Sequence, residues 1–91
     1  MKIEFDPDKR VLTLAERGLD MARAGELFEG DHLTIVDHRK NYGEERLMSV
    51  GFIDGRMVFI AWTRRDEAVR VISMRKANER EKARLSPILE N

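Results

Sequence analysis

The chain has 91 residues, of which 42% are hydrophobic and 37% are charged, and it contains no cysteine. This length allows one domain with a modest core and excludes a two-domain enzyme. The lack of cysteine excludes disulfides and thiolate metal sites. No apolar run approaches the roughly 20 residues that span a bilayer, and the N-terminus lacks a signal-peptide hydrophobic region. We therefore expect one soluble, cytoplasmic domain over residues 1–91, without membrane contact.

The net charge of zero conceals an uneven distribution of charge. Residues 1–45 carry 7 basic and 11 acidic side chains, a net charge of −4, whereas residues 46–91 carry 10 and 6, a net charge of +4. Twelve of the 17 basic residues are arginine, whose planar fork binds phosphate or carboxylate through two hydrogen bonds. The second half therefore fits either an anionic ligand or a solvated, salt-bridged surface.

The first part of the chain predicts a short strand and two helices. Residues 2–5 alternate between polar and apolar side chains, as an edge strand does. Asp6 and Pro7 predict a helix start, and Gly18 predicts its end. The apolar residues on one face of this helix are Val11, Leu12, Ala15 and Leu19. A second helix is predicted over residues 20–30.

The rest of the chain changes to the period of strands. Asp54-Gly55 is a strong hairpin signal between two apolar segments. Asn78 and Glu81 have the spacing of a helix capping box, and Ser86-Pro87 predicts the end of that helix. The predicted elements are a strand over 32–37, a polar loop over 39–44, strands over 46–53 and 56–63, a turn over 64–67, a strand over 68–74 and a helix over 77–85.

The predicted order is β-α-α-β-β-β-β-α. Short turns require antiparallel neighbours, so the expected fold is α+β. It combines an antiparallel four-stranded meander, an N-terminal edge strand, two N-terminal helices and one C-terminal helix. We expect the helices to cover one face of the sheet and to leave the other partly open for a ligand.

Arginines at the strand ends are the main candidates for chemistry. In the predicted meander, Arg46, Arg64 and Arg70 converge at one edge, whereas Arg75 lies at the far end of its strand. Because a cluster of like charges repels itself, a phosphate would stabilise it. Salt bridges are the structural alternative, and the carboxylates available are Glu44, Glu45, Asp66 and Glu67.

Other polar and aromatic residues offer weaker candidates. His32 and His38 are about 20 Å apart along a strand, so we expect no metal site. Glu45 fits either an exposed strand start or a general base beside arginines. Tyr42 and Trp62 could stack on a nucleobase, although Trp62 also fits the core.

The chain resembles the BrnT toxins of bacterial type II toxin–antitoxin modules, which are small ribonucleases with a RelE-like fold. The resemblance runs in order along nearly the whole chain, and its most telling block is Ile72-Ser73-Met74-Arg75 followed by Ala77 and Glu81. The earlier matching residues are Phe5-Asp6-Pro7, Lys9, Arg17-Gly18-Leu19, Phe28, Glu44-Glu45-Arg46, Gly51, Gly55-Arg56, Thr63-Arg64 and Arg70-Val71.

The resemblance implies an mRNA-cleaving toxin that is neutralised by a BrnA-type antitoxin. The ribbon-helix-helix part of such an antitoxin binds operator DNA, so we expect no direct DNA binding without it. Cleavage would be metal-independent, with no cofactor, through attack of the RNA 2′-hydroxyl on the adjacent phosphorus. The candidate catalytic residues are Arg46, Arg64, Arg70 and Arg75, with Glu45 or His38 as the base. The candidate RNA-binding residues are Arg56, Trp62 and Tyr42.

Two other classes of function stay open from the sequence. One is a catalytically inactive RNA- or protein-binding domain that acts in a transcriptional repressor complex. The other is an interaction domain that binds a partner without affinity for RNA.

Overall fold

A five-stranded sheet with three α-helices forms the protein, as seen in a computed structural model that describes residues 1–39, 41 and 43–90. The strands are β1 (Lys2–Glu4), β2 (Leu33–Val36), β3 (Leu47–Ile53), β4 (Arg56–Arg65) and β5 (Ala68–Lys76). The helices are α1 (Pro7–Arg17), α2 (Ala24–Glu29) and α3 (Glu79–Leu89). The mixed α+β class that the sequence predicts is confirmed.

The sheet is mixed rather than purely antiparallel. Its strand order is β1-β5-β4-β3-β2. The four strands from β2 to β5 pair antiparallel with their neighbours, whereas β1 pairs parallel with β5. This register places Ile3 beside Val69, and both side chains join the main hydrophobic core. The parallel edge strand therefore buries its apolar residue on the face that the N-terminal helices cover.

Tight turns join the last three strands. Asp54 and Gly55 both have positive φ, 53° and 74°, which gives the turn type that matches the twist of a hairpin. The second turn is shorter than the predicted 64–67, because Arg65 still pairs with Ala68. Asp66 takes the left-handed conformation there, at φ 55°, which aspartate tolerates better than most residues.

Caps define the start and end of α1 as the sequence predicts. The Asp6 carboxylate accepts a hydrogen bond from the Asp8 backbone N–H at 2.9 Å, and Gly18 ends the helix at φ 68°. The second predicted helix instead begins as a 3₁₀ turn, Met21–Arg23, and continues as α2. Asp20 caps that turn by accepting from the Ala22 N–H.

The apolar residues that the sequence places on one face of α1 are largely exposed to solvent. Val11 is 66% exposed and Leu12 is also exposed, although Leu19 beyond the helix is buried. Polar contacts hold the helix to the body instead. Arg10 donates two hydrogen bonds to Asp20 at 2.8 and 3.0 Å, and Arg17 donates to the Met74 carbonyl at 2.6 Å.

Helix α3 lies on the face of the sheet opposite α2, so the expectation that all helices cover one face is wrong. Leu85 and Leu89 pack with Val50 and Met57 in a second hydrophobic cluster. The helix begins with the predicted capping box of Asn78 and Glu81. It does not stop at Ser86-Pro87, because the burial of Leu89 and the hydrogen bond from the Glu90 N–H to the Ser86 carbonyl support another turn.

The main core lies between α2 and the sheet. Leu27, Val58, Ile60 and Met74 are fully buried there. Gly51 lets α2 approach β3 closely, since a Cβ atom at Gly51 would lie 2.8 Å from the Leu27 Cγ. In the part of the chain that the structure describes, no helix is long and apolar enough to span a membrane.

Candidate active site

The two faces of the sheet separate the arginines that the sequence places together. Arg64 pairs in register with Val69, whose side chain belongs to the main core. Paired residues share a face, so Arg64 lies on the helix-covered side, with its guanidinium carbon 5.6 Å from the centre of the Trp62 ring. Arg70 pairs with Thr63 and lies on the opposite face. The predicted convergence of Arg46, Arg64 and Arg70 is therefore wrong for Arg64.

Loose ion pairs accompany Arg46 and Arg70. The Arg46 Nε lies 3.9 Å from a Glu44 carboxylate oxygen, and the Arg70 Nη1 lies 3.9 Å from a Glu4 carboxylate oxygen. Arg65 also lies near Glu44, at 3.8 Å. Ion pairs of this length at a surface contribute little to stability.

Arg75 is held much more tightly. Its Nη1 and Nη2 donate to the two carboxylate oxygens of Glu81, each at 2.8 Å. Its guanidinium carbon lies 4.4 Å from the centre of the Phe59 ring. The Glu81 hydrogen bonds raise the pKa of Arg75, and the same contact lowers the pKa of Glu81 to about 2. Arg75 is thus a fixed cation on the face that α3 partly covers.

Arg39, which the sequence predicts only as the start of a polar loop, is a second fixed cation. The Asp37 carboxylate accepts hydrogen bonds from the Arg39 Nε and Nη2, both at 2.9 Å, and from its backbone N–H at 3.1 Å. The Asp37 side chain is 3% exposed, whereas that of Arg39 is 69% exposed. The sequence does contain one sign that Arg39 is held in place. An acidic residue, Asp37, lies two positions earlier, at the end of a predicted strand.

Arg39 and Arg75 border the same opening, a cavity of about 420 Å³ that we call the Arg75 cavity. Its apolar walls are Ile35, Val36, Met48 and Phe59, and Asp37 and His38 complete the lining. The positive charge of Arg39 lowers the pKa of Arg75 and so opposes the larger effect of Glu81, which raises it. Two guanidinium groups from distant parts of the chain thus meet on this face of the sheet.

A second cavity, of about 400 Å³, adjoins the Arg75 cavity and shares Val36, Asp37 and His38 with it. We call it the Arg46 cavity, because Arg46, Glu44, Glu45 and Asn41 complete its lining. The structure therefore brings together three of the predicted residues here, namely His38, Glu45 and Arg46, and places Arg75 next to them. Such a site offers cations for an anion and an imidazole or carboxylate for proton transfer.

The other predicted residues lie elsewhere. Trp62 is 6% exposed and donates from its Nε1 to the Ser49 Oγ at 2.8 Å; this placement favours the core alternative over base stacking. Arg56 opens β4 beside the Asp54-Gly55 turn, at the other end of the strand from Arg65, and lines a separate cavity with Lys76 and Lys82. Tyr42 lies outside the described residues.

Histidine and carboxylate side chains do not assemble into a metal-binding group in the described part of the chain. Among residues 1–39, 41 and 43–90, no three of them are placed to hold an ion together.

Asp37 and Glu81, the carboxylates that hold Arg39 and Arg75, should make the free energy of unfolding depend on pH. The Arg39 hydrogen bonds lower the pKa of Asp37 from 3.8 to about 2, and the Arg75 hydrogen bonds lower that of Glu81 from 4.5 to about 2. Because both values are lower in the folded state, the stabilisation is complete above about pH 4.5 and is lost as the pH falls towards 2. Chemical denaturation at a series of pH values should show this decline. The double variant Asp37→Asn, Glu81→Gln should show a shallower one, and an unchanged slope would contradict the assignment.

Comparison with known proteins supports the resemblance drawn from the residues. No curated protein matches the chain. A family model described as "Ribonuclease toxin, BrnT, of type II toxin-antitoxin system" matches residues 5–81. This match includes both cavities and the Arg75–Glu81 pair. The chain therefore belongs to the BrnT family of ribonuclease toxins of type II toxin–antitoxin systems.

Proposed function

We propose that the protein is a metal-independent endoribonuclease that cleaves mRNA, with a RelE-like fold and with the two adjoining cavities as its active site. Family membership supports a ribonuclease toxin. The observation that carries the choice of site is the meeting of Arg39, Arg46 and Arg75 around openings that also contain His38 and Glu45. Arg64, on the other face of the sheet, is not part of this proposed site.

The chemistry uses a nucleophile that RNA itself supplies. The 2′-hydroxyl attacks the adjacent phosphorus while His38 or Glu45 accepts its proton. The bond from phosphorus to the 5′-oxygen then breaks, and that oxygen takes a proton from water as it leaves. The products are a 2′,3′-cyclic phosphate and a 5′-hydroxyl. Arg39 and Arg46 align the phosphate and stabilise the charge on its oxygens in the transition state.

Two carboxylates orient arginines at the site before RNA binds. Asp37 holds Arg39, and Glu81 holds Arg75, each through paired hydrogen bonds. Arginine has five N–H donors, so the Asp37 carboxylate on one edge of Arg39 leaves other donors for a phosphate. Cations oriented before the substrate binds need no reorganisation during the reaction, which makes their stabilisation more effective.

The partner that we propose is a BrnA-type antitoxin with a ribbon-helix-helix part that binds operator DNA. The family description supports an antitoxin partner in general. By neutralising the toxin and binding DNA, such an antitoxin would place this protein in a repressor complex without requiring it to contact DNA itself.

The test is cleavage of a synthetic RNA by purified protein freed of antitoxin, in the presence of EDTA. We expect fragments that end in a 2′,3′-cyclic phosphate. The matched control is the same oligonucleotide with 2′-deoxyribose throughout, which should stay intact because it lacks the nucleophile. Cleavage of this control would exclude the proposed mechanism. Intact RNA, bound with an affinity that falls steeply with salt, would instead support the inactive RNA-binding alternative.

A further inference from the structure

Arg75 presents a flat, oriented surface rather than a free fork of donors. Glu81 occupies the outer edge of its guanidinium with two hydrogen bonds, and Glu81 is itself held by the Asn78 backbone N–H at 2.9 Å. The Phe59 ring covers one face of the guanidinium, at 4.4 Å. The side chain is nevertheless 45% exposed. Arg75 lines the Arg75 cavity, and Phe59 covers only one face of its guanidinium plane.

The walls of the Arg75 cavity suit a planar apolar body better than a phosphate. Ile35, Met48 and Phe59 line it beside the two arginines. A phosphate placed against these apolar walls would lose hydration there without gaining hydrogen-bond partners from the walls themselves. Ligand sites that mix apolar walls with a few placed polar groups hold organic rings well. Nucleobases stack on arginine planes in RNA complexes, where the cation also attracts the π system.

The neighbouring cavity supplies the rest of a nucleotide site. It shares His38 and Asp37 with the Arg75 cavity, and it contains Arg46. Arg39, held by Asp37, also lines the Arg75 cavity. A nucleotide can therefore direct its base into one opening and its phosphate towards the other.

We propose that the Arg75 cavity is a nucleobase subsite, in which a base of the RNA stacks on the exposed face of Arg75, next to the phosphate that is cleaved. This inference rests on the proposed ribonuclease function. It assigns Arg75 to substrate recognition and leaves phosphate binding to Arg39 and Arg46.

The experiment measures binding without cleavage. Fluorescence anisotropy compares a labelled 2′-O-methyl RNA, whose blocked hydroxyl cannot attack, with an abasic 2′-O-methyl chain of the same length. The wild-type protein should bind the chain with bases at least about fivefold more tightly, from stacking. Arg75→Lys keeps the charge but loses the plane. This variant should bring the ratio of the two affinities, with bases over abasic, close to one. Its affinity for the abasic chain should change by no more than about twofold. The control Arg80→Lys, on the exposed surface of α3, should keep the wild-type ratio.

A second variant protects the test from a folding defect. Met48→Ala alters a wall of the cavity and leaves the Arg75–Glu81 pair intact, so it should also lower the ratio. If the circular dichroism spectrum shows that Arg75→Lys does not fold, the affinity ratio of Met48→Ala tests the base subsite instead. Equal wild-type affinity for the two chains, or variants with the wild-type ratio, would overturn the base subsite but leave the ribonuclease proposal standing. No binding of either chain at low salt would overturn both.

Discussion

Replacing Arg39 with alanine is expected to lower kcat for RNA cleavage by about 10²- to 10³-fold, the usual cost of removing one preorganised group that stabilises transition-state charge. Arg39 is oriented by Asp37 and exposed at the Arg75 cavity. Its loss should leave the fold in place but lower its stability, because the nearly buried Asp37 carboxylate loses two side-chain hydrogen bonds. Single-turnover cleavage, with circular dichroism to confirm folding, measures the effect.

Two further variants separate charge from geometry at this position. Arg39→Lys keeps the charge but cannot make the paired contact with Asp37, so it should recover only part of the activity. Arg80→Ala removes one exposed arginine from α3 and should leave kcat unchanged. A folded Arg39→Ala variant with wild-type activity would remove Arg39 from the site.

Leu27→Ala is expected to lower the free energy of unfolding by about 2–5 kcal/mol, since it deletes a fully buried side chain from the main core. Gly51→Ala should cost about 1–3 kcal/mol by overpacking, because its new methyl group would meet the Leu27 Cγ at 2.8 Å. The double variant should cost less than the sum of the two, since the added methyl group then occupies space that the leucine has vacated. Urea denaturation of all four proteins gives the coupling.

A glycine-to-alanine substitution at an open position controls for the general effect of losing a glycine from the backbone. Gly30 follows α2 with φ −100°, and a Cβ atom there would meet nothing within 4 Å. Gly30→Ala should therefore change the unfolding free energy by about 0.5 kcal/mol or less. If the double variant lost as much unfolding free energy as the Leu27 and Gly51 single variants together, α2 would have shifted away from β3. That result would contradict the close packing.

Local signals in the sequence predict most of the elements, because each depends on residues a few positions apart. Asp6 and Gly18 delimit α1, Asp54-Gly55 turns the hairpin, and Asn78 caps α3. The family is also recognisable from the order of its residues, and its match over residues 5–81 confirms it.

The candidate site was only partly predictable. Arg46, His38 and Glu45 are each candidates from the sequence, and the structure places all three around one cavity. Arg39 was missed, because a loop arginine gains importance only from the carboxylate that holds it. Glu81 was predicted as a helix cap, and it is one. Its second contact, with Arg75, depends on how α3 folds back over the sheet.

The sequence by itself thus determined where strands, turns and caps form, and to which family the chain belongs. The tertiary structure alone decided that Arg64 and Arg70 lie on opposite faces, that Trp62 is in the core and that the apolar side of α1 faces solvent. It also brought Arg39 and Arg75 to one cavity. The physical reason is that strand register and helix packing join residues far apart in the chain, and they select among arrangements that local propensities leave equally open.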